Sequence, residues 1–119
     1  MSIDEEDVAY LVDMLVTARR IRSFMAGVSL DGFARDEMRS MAVERGFEVI
    51  GEAAKLLSAH FRDSHPKLPA RQMIGLRNII AHEYAEIDYR LLYRVASADI
   101  PELIRMLEAL IPDNLESLD

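Results

Sequence analysis

Apolar residues recur at steps of three and four along almost the whole chain, and no stretch of useful length alternates as a strand would. Val8, Leu11, Val12, Leu15, Ala18 and Phe24 form the first such series. That period matches an amphipathic α-helix, whose residues return to one face every 3.6 positions. The fold class that follows is all-α. Ser2 or Asp4 can cap the first helix, and the acids Asp4, Glu5, Glu6 and Asp7 suit its positive amino terminus. Arg19, Arg20 and Arg22 suit the opposite end, which places helix one at about residues 4–26. Gly27 and the segment Val28-Ser29-Leu30-Asp31-Gly32 read as a turn.

Asp31 or Asp36 begins the second helix, which runs to about Phe61 with Met38, Met41, Phe47, Ile50, Ala54, Leu56 and Leu57 among its apolar positions. Gly46 and Gly51 lie inside it. An interior glycine costs roughly 1 kcal/mol against alanine, so each implies a packing reason, such as the close approach of a neighbouring helix. Pro66 and Pro69 mark a loop over residues 62–69, and Pro69 suits the first turn of a third helix. That helix carries Met73, Ile74, Leu76, Ile79 and Ile80 and is expected to end near Tyr84. Asp88 caps the last helix, Pro101 kinks it near residues 98–100, Pro112 ends it, and Asn114 to Asp119 form a frayed tail. The expected architecture is one domain over residues 1–119, an up-down antiparallel four-helix bundle with short connections. Its long helices leave apolar surface for a partner, and a homodimer is the expectation.

Composition removes several functions. The formal net charge is -7, whereas a stand-alone nucleic-acid module usually carries a basic excess. Broad electrostatic capture is therefore excluded, though a local basic patch of Lys67, Arg71 and Arg77 is not. The absence of cysteine removes disulfides, thiolate metal sites and cysteine nucleophiles. An acidic amino terminus without an apolar run is not a signal peptide, and no apolar run approaches a membrane span, so the cytoplasm is the expected location. Glu44, Glu48 and Glu52 fall at i, i+4 and i+8. No Glu-x-x-His pair accompanies them, so they read as a solvated acidic stripe and no metal is expected. His60 and His65 read as surface histidines.

The chemistry concentrates in Gly75-Leu76-Arg77-Asn78-Ile79-Ile80-Ala81-His82-Glu83-Tyr84. Arg77 and His82 are five apart, about 140° around an ideal helix. Asn78 shares a face with His82, and Arg77 with Tyr84. A histidine can move a proton near neutral pH, and an arginine grips phosphate oxygens through paired hydrogen bonds without losing its own proton. Together they suit phosphodiester cleavage without a metal: the histidine activates a ribose 2′-hydroxyl, and Arg77 offsets the charge that builds on the phosphoryl oxygens. The spacing alone also fits structural roles. His82 could cap helix carbonyls, Arg77 could pair with Glu83 or Glu86, Asn78 could be an exposed amide, and Tyr84 a half-buried aromatic.

The pattern Arg77-x-x-x-x-His82-x-Tyr84 resembles the signature of the HepT-like branch of the HEPN superfamily. Leu68-Pro69 before it, Ile87-Asp88 after it, and Gly51-Glu52-Ala53-Ala54 in the second helix are similar to that branch too, so the resemblance covers nearly the whole chain. One departure is Ala70, where members often carry tryptophan; it concerns packing. The resemblance implies a helical domain that dimerises so that two motifs face one cleft. It implies a metal-independent endoribonuclease without a cofactor, the toxin of a toxin–antitoxin pair. Its partner would be an MntA-type nucleotidyltransferase antitoxin that blocks RNA cleavage by adenylylating Tyr84. On this reading Arg77 and His82 are catalytic, and Asn78, Arg71 and Lys67 bind substrate. The alternative is a non-catalytic helical module that binds a nucleotidyltransferase, which the acidic net charge favours.

Overall fold

The computed structural model describes residues 3–82 and 87–112, and these residues are helical with no strand among them. Helix α1 spans Glu5–Met25, α2 Leu30–Ala34, α3 Glu37–Leu56, α4 Ala59–Ser64, α5 Ala70–His82, α6 Tyr89–Arg94 and α7 Ile100–Leu110. A π-helical turn, Val95–Asp99, joins α6 to α7, whose second residue is Pro101. No described helix is long and apolar enough to cross a membrane.

The caps follow side-chain chemistry. Asp4, Asp36 and Asp88 each accept a hydrogen bond from a backbone N–H in the first turn of α1, α3 and α6. Such a cap satisfies one of the donors that a helix start leaves unpaired. Two segments differ from the sequence expectation. The stretch after Gly27 contains α2, capped by Ser29, which carries Phe33 into the core. Five residues are too few for a period to show. The second long helix stops at Leu56 instead of reaching Phe61. Leu57 turns extended and Ser58 caps a separate helix, α4. The cause lies in α1, where buried Asp7 accepts from the Ser58 N–H at 2.8 Å and from its hydroxyl at 2.7 Å.

One hydrophobic core runs through the described residues, with Met14, Leu15, Phe33, Phe47, Ile50 and Leu107 among its fully buried members. Helix α3 packs against both α1 and α5, and α7 closes over α1. The buried stripe of α1 is Leu11, Met14, Leu15, Ala18, Ile21 and Met25, so Phe24, expected on that face, is turned outward. Met38 (84% exposed), Met41 and Leu56 are likewise outside the core. Periodicity picks out a stripe, but the neighbours decide how wide the buried face becomes. His65 is half-buried and not a surface residue: it stacks on Phe61, with Nδ1 2.9 Å from the Phe61 carbonyl oxygen.

Both interior glycines of α3 sit where another helix presses on it. A Cβ at Gly46 would lie 2.8 Å from the Ile21 side chain of α1. A Cβ at Gly51 would overlap Arg77 Cβ on α5 and lie 2.7 Å from the Met73 carbonyl oxygen. The second contact fixes where the chemistry-bearing helix rests.

Candidate active site

Helix α5 divides cleanly. Ala70, Met73 and Leu76 are buried, while Arg71, Gln72, Gly75, Asn78, Ile79 and His82 are exposed. Arg77 lies at the edge between these faces. Its stem rests on α3 at Gly51, and its head emerges beside Glu52. Close packing on bare backbone restricts the rotamers open to the stem.

The Arg77 side chain is 25% exposed, and its Nη2 is 3.3 Å from Glu52 Oε2. Its Nη1 donates a hydrogen bond to Asn78 Oδ1 at 3.2 Å. Glu52 Oε2 is shielded from solvent and receives no hydrogen bond among the described residues. The contact with Arg77 is therefore a charge pair without directional bonding. Glu44, Glu48 and Glu52 are all half-buried, which corrects the reading of this stripe as solvated. Burial holds the Glu44 carboxyl above its ordinary range; the hydrogen bond from Ser40 opposes that shift, and the charge of Glu48 adds to it. A cleft of about 330 Å³ opens beside these groups, bordered by Tyr10, Asp13, Arg45, Glu48, Glu52 and Arg77.

His82 is exposed in the last residue of α5. From Arg77 it is about 7.5 Å along the helix axis and about 140° around it. Asn78, one turn before His82, shares its exposed face. Arg71 and Lys67 are exposed toward the other end of α5. Arg71 borders a depression with Arg62 and Asp63, and Lys67 a second one with Met106 and Leu110. The fold thus gathers Arg77, Asn78 and Glu52, leaves His82 exposed nearby, and keeps Arg71 and Lys67 apart from them. Tyr84, together with Glu83 and Glu86, lies outside the described residues.

Glu52 is the site residue that sequence reasoning missed. Its signal was present: an acid directly after an interior glycine on a helix that needs a close neighbour. A fixed guanidinium with unspent N–H donors can hold a phosphate, and an exposed imidazole can carry a proton to or from a group beside it.

The family model described as "Ribonuclease HepT-like" matches residues 14–110. A protein of Methanocaldococcus jannaschii named as a "Putative RNase" is 36% identical over 100 residues, covering 84% of this chain and 92% of its own length. A "Probable ribonuclease HepT" of Thermococcus cleftensis is 34% identical over 94 residues, covering 79% of this chain and 86% of its own. No solved structure gives a significant match.

Proposed function

Because this chain belongs to the HepT-like ribonuclease family, we propose that it is a metal-independent endoribonuclease with His82 as its acid–base group and Arg77 as its phosphate stabiliser. The observation that carries this reading is the seat of Arg77. The side chain is half-buried, with its stem set against Gly51 and its guanidinium flanked by Glu52 and Asn78, and an exposed histidine lies on the next turns of the same helix.

The chemistry needs only these groups. Neutral His82 takes the proton of a ribose 2′-hydroxyl, and the oxygen attacks the adjacent phosphorus. The P–O bond to the 5′-oxygen of the next nucleotide breaks, and that oxygen leaves with the proton that protonated His82 returns, which regenerates the neutral imidazole. The products are a 2′,3′-cyclic phosphate and a 5′-hydroxyl. Arg77 stabilises the charge on the non-bridging oxygens as the transition state forms. Asn78 contacts the substrate from the same face as His82. Lys67 and Arg71 hold the RNA backbone farther along α5, which makes binding sensitive to salt.

The working unit is a homodimer in which two α5 faces border one cleft. Ile79 is 47% exposed on that face, next to Asn78, and would be covered there. The protein acts in the cytoplasm as the toxin of a pair whose antitoxin is an MntA-like nucleotidyltransferase. That partner transfers AMP from ATP to the Tyr84 hydroxyl and releases pyrophosphate. The added negative charge and bulk beside His82 exclude an RNA phosphate.

Cleavage of RNA by the purified, unmodified protein in EDTA, beside His82→Ala, tests the reading. Cleavage by the parent and loss in the mutant is the expected pair of results. No cleavage by either, with an intact mass that shows no adduct on Tyr84, would favour the non-catalytic module that the net charge of -7 also suits.

A further inference from the structure

We propose that Glu52 is a positioning residue for Arg77, fixing the guanidinium for the phosphate without consuming its hydrogen-bond donors. The proposal rests on the active-site reading above and adds to it a residue on a different helix.

Two neighbouring residues of α3 act on the two halves of one arginine. Gly51 lets the Arg77 Cβ and Cγ lie directly on the α3 backbone, which places the stem. Glu52 then stands beside the head, with Oε2 3.3 Å from Nη2. Asn78 Oδ1 holds Nη1 from the other side. The cation is thus constrained at its root and at both terminal nitrogens. Preset orientation of this kind matters because a misplacement of about 1 Å can cost on the order of a hundredfold in rate.

A carboxylate beside a phosphate-binding arginine could instead compete with the phosphate. The geometry decides between these roles. A competing carboxylate would take the arginine's N–H groups in short, aligned bonds, as phosphate does. Among the described residues Glu52 Oε2 receives no hydrogen bond, although it is shielded from solvent. The attraction is coulombic and holds the head in place, while the Nη2 protons stay available. The same charge offsets the cost of keeping a half-buried cation.

The test is steady-state cleavage of a short single-stranded RNA by the protein carrying Glu52→Gln, Glu52→Asp, Arg77→Ala, Arg77→Lys or Glu52→Gln with Arg77→Lys. Glu52→Gln keeps the size and removes the charge. It is expected to lower kcat about tenfold or more with KM changed less than about threefold. Glu52→Asp, which restores the charge, is expected to recover part of the loss. In the Arg77→Lys background the Glu52→Gln change is expected to cost little more, since the positioned group is already gone. The inference is overturned if Glu52→Gln cuts at the parent rate while Arg77→Ala is inactive. It is also overturned if Glu52→Gln cuts faster, which would make the carboxylate a competitor, or if the two losses simply multiply. Full cleavage by Arg77→Ala would bring down the active-site reading itself, a different failure from the others.

Discussion

Gly51 on α3 and Arg77 on α5 occupy the same few ångströms: the arginine stem lies where the glycine has no side chain, so a close approach of the two helices is also the anchor of the candidate site. A packing residue and a candidate functional residue are therefore inseparable here. Gly51→Ala must push Arg77 outward or move α5 away from α3, because the Met73 carbonyl of α5 lies 2.7 Å from the new methyl. Overpacking of this kind costs about 1–3 kcal/mol. Urea unfolding is expected to show that loss, and RNA cleavage is expected to fall with it. A variant as stable and as active as the parent would contradict the seat assigned to Arg77.

Asp7 yields a prediction about stability alone. It is 4% exposed, yet both of its carboxylate oxygens accept from Ser58, which in turn caps α4 by accepting from the Phe61 N–H. Hydrogen bonds to a charged group contribute roughly 1.5–3 kcal/mol each, and Ser58 can recover some bonding from water. Asp7→Ala is expected to lose about 2–3 kcal/mol in thermal or urea unfolding, with the largest gain in amide exchange around α4. Little change in either would mean that the α1–α4 tie carries no weight.

These residues show what the sequence could and could not disclose. Asp4, Asp36 and Asp88 announce their helix starts because a cap acts within a few residues of itself. Gly46 and Gly51 announce close helix contacts because an interior glycine is costly without one. The break at Leu57 and Ser58 was hidden because its cause, Asp7, is 51 residues away. Phe24, Met38, Met41 and Leu56 looked like core residues because an apolar period does not show how far a neighbouring helix reaches. Arg77, Asn78 and His82 could be proposed together from the sequence because they share one short segment. The pairing of Arg77 with Glu52 was not, because it depends on how α3 and α5 cross.

His82→Ala separates chemistry from scaffold. The residue is exposed in the last residue of α5, so its removal is expected to change stability by no more than about 0.5 kcal/mol. Loss of an acid–base group is expected to lower cleavage by about a hundredfold or more. Circular dichroism melts and single-turnover cleavage on the same preparation check both halves. Retained cleavage would remove His82 from the mechanism, whereas a collapsed melt would make it a structural residue.

Glu44, on α3 two turns before Glu52, supplies a pH test. Burial is the main reason that its carboxyl holds a proton more tightly than usual; the Ser40 hydrogen bond works against this, and nearby Glu48 reinforces it. A carboxyl whose proton affinity is higher in the folded chain than in the unfolded chain contributes stability below the ordinary carboxylate range. That contribution is lost as pH rises through the raised value, so at neutral pH the ionised group is a net cost to folding. Glu44→Gln removes the ionisation and keeps an acceptor for Ser40. It is expected to raise the melting temperature slightly at pH 7, by the equivalent of less than about 0.5 kcal/mol because solvent screens a partly exposed group. The gain is expected to shrink toward zero as the pH is lowered below the ordinary carboxylate range. Melts of parent and variant across that range check it, and a difference of the same size at every pH would show that the effect comes from packing and not from charge.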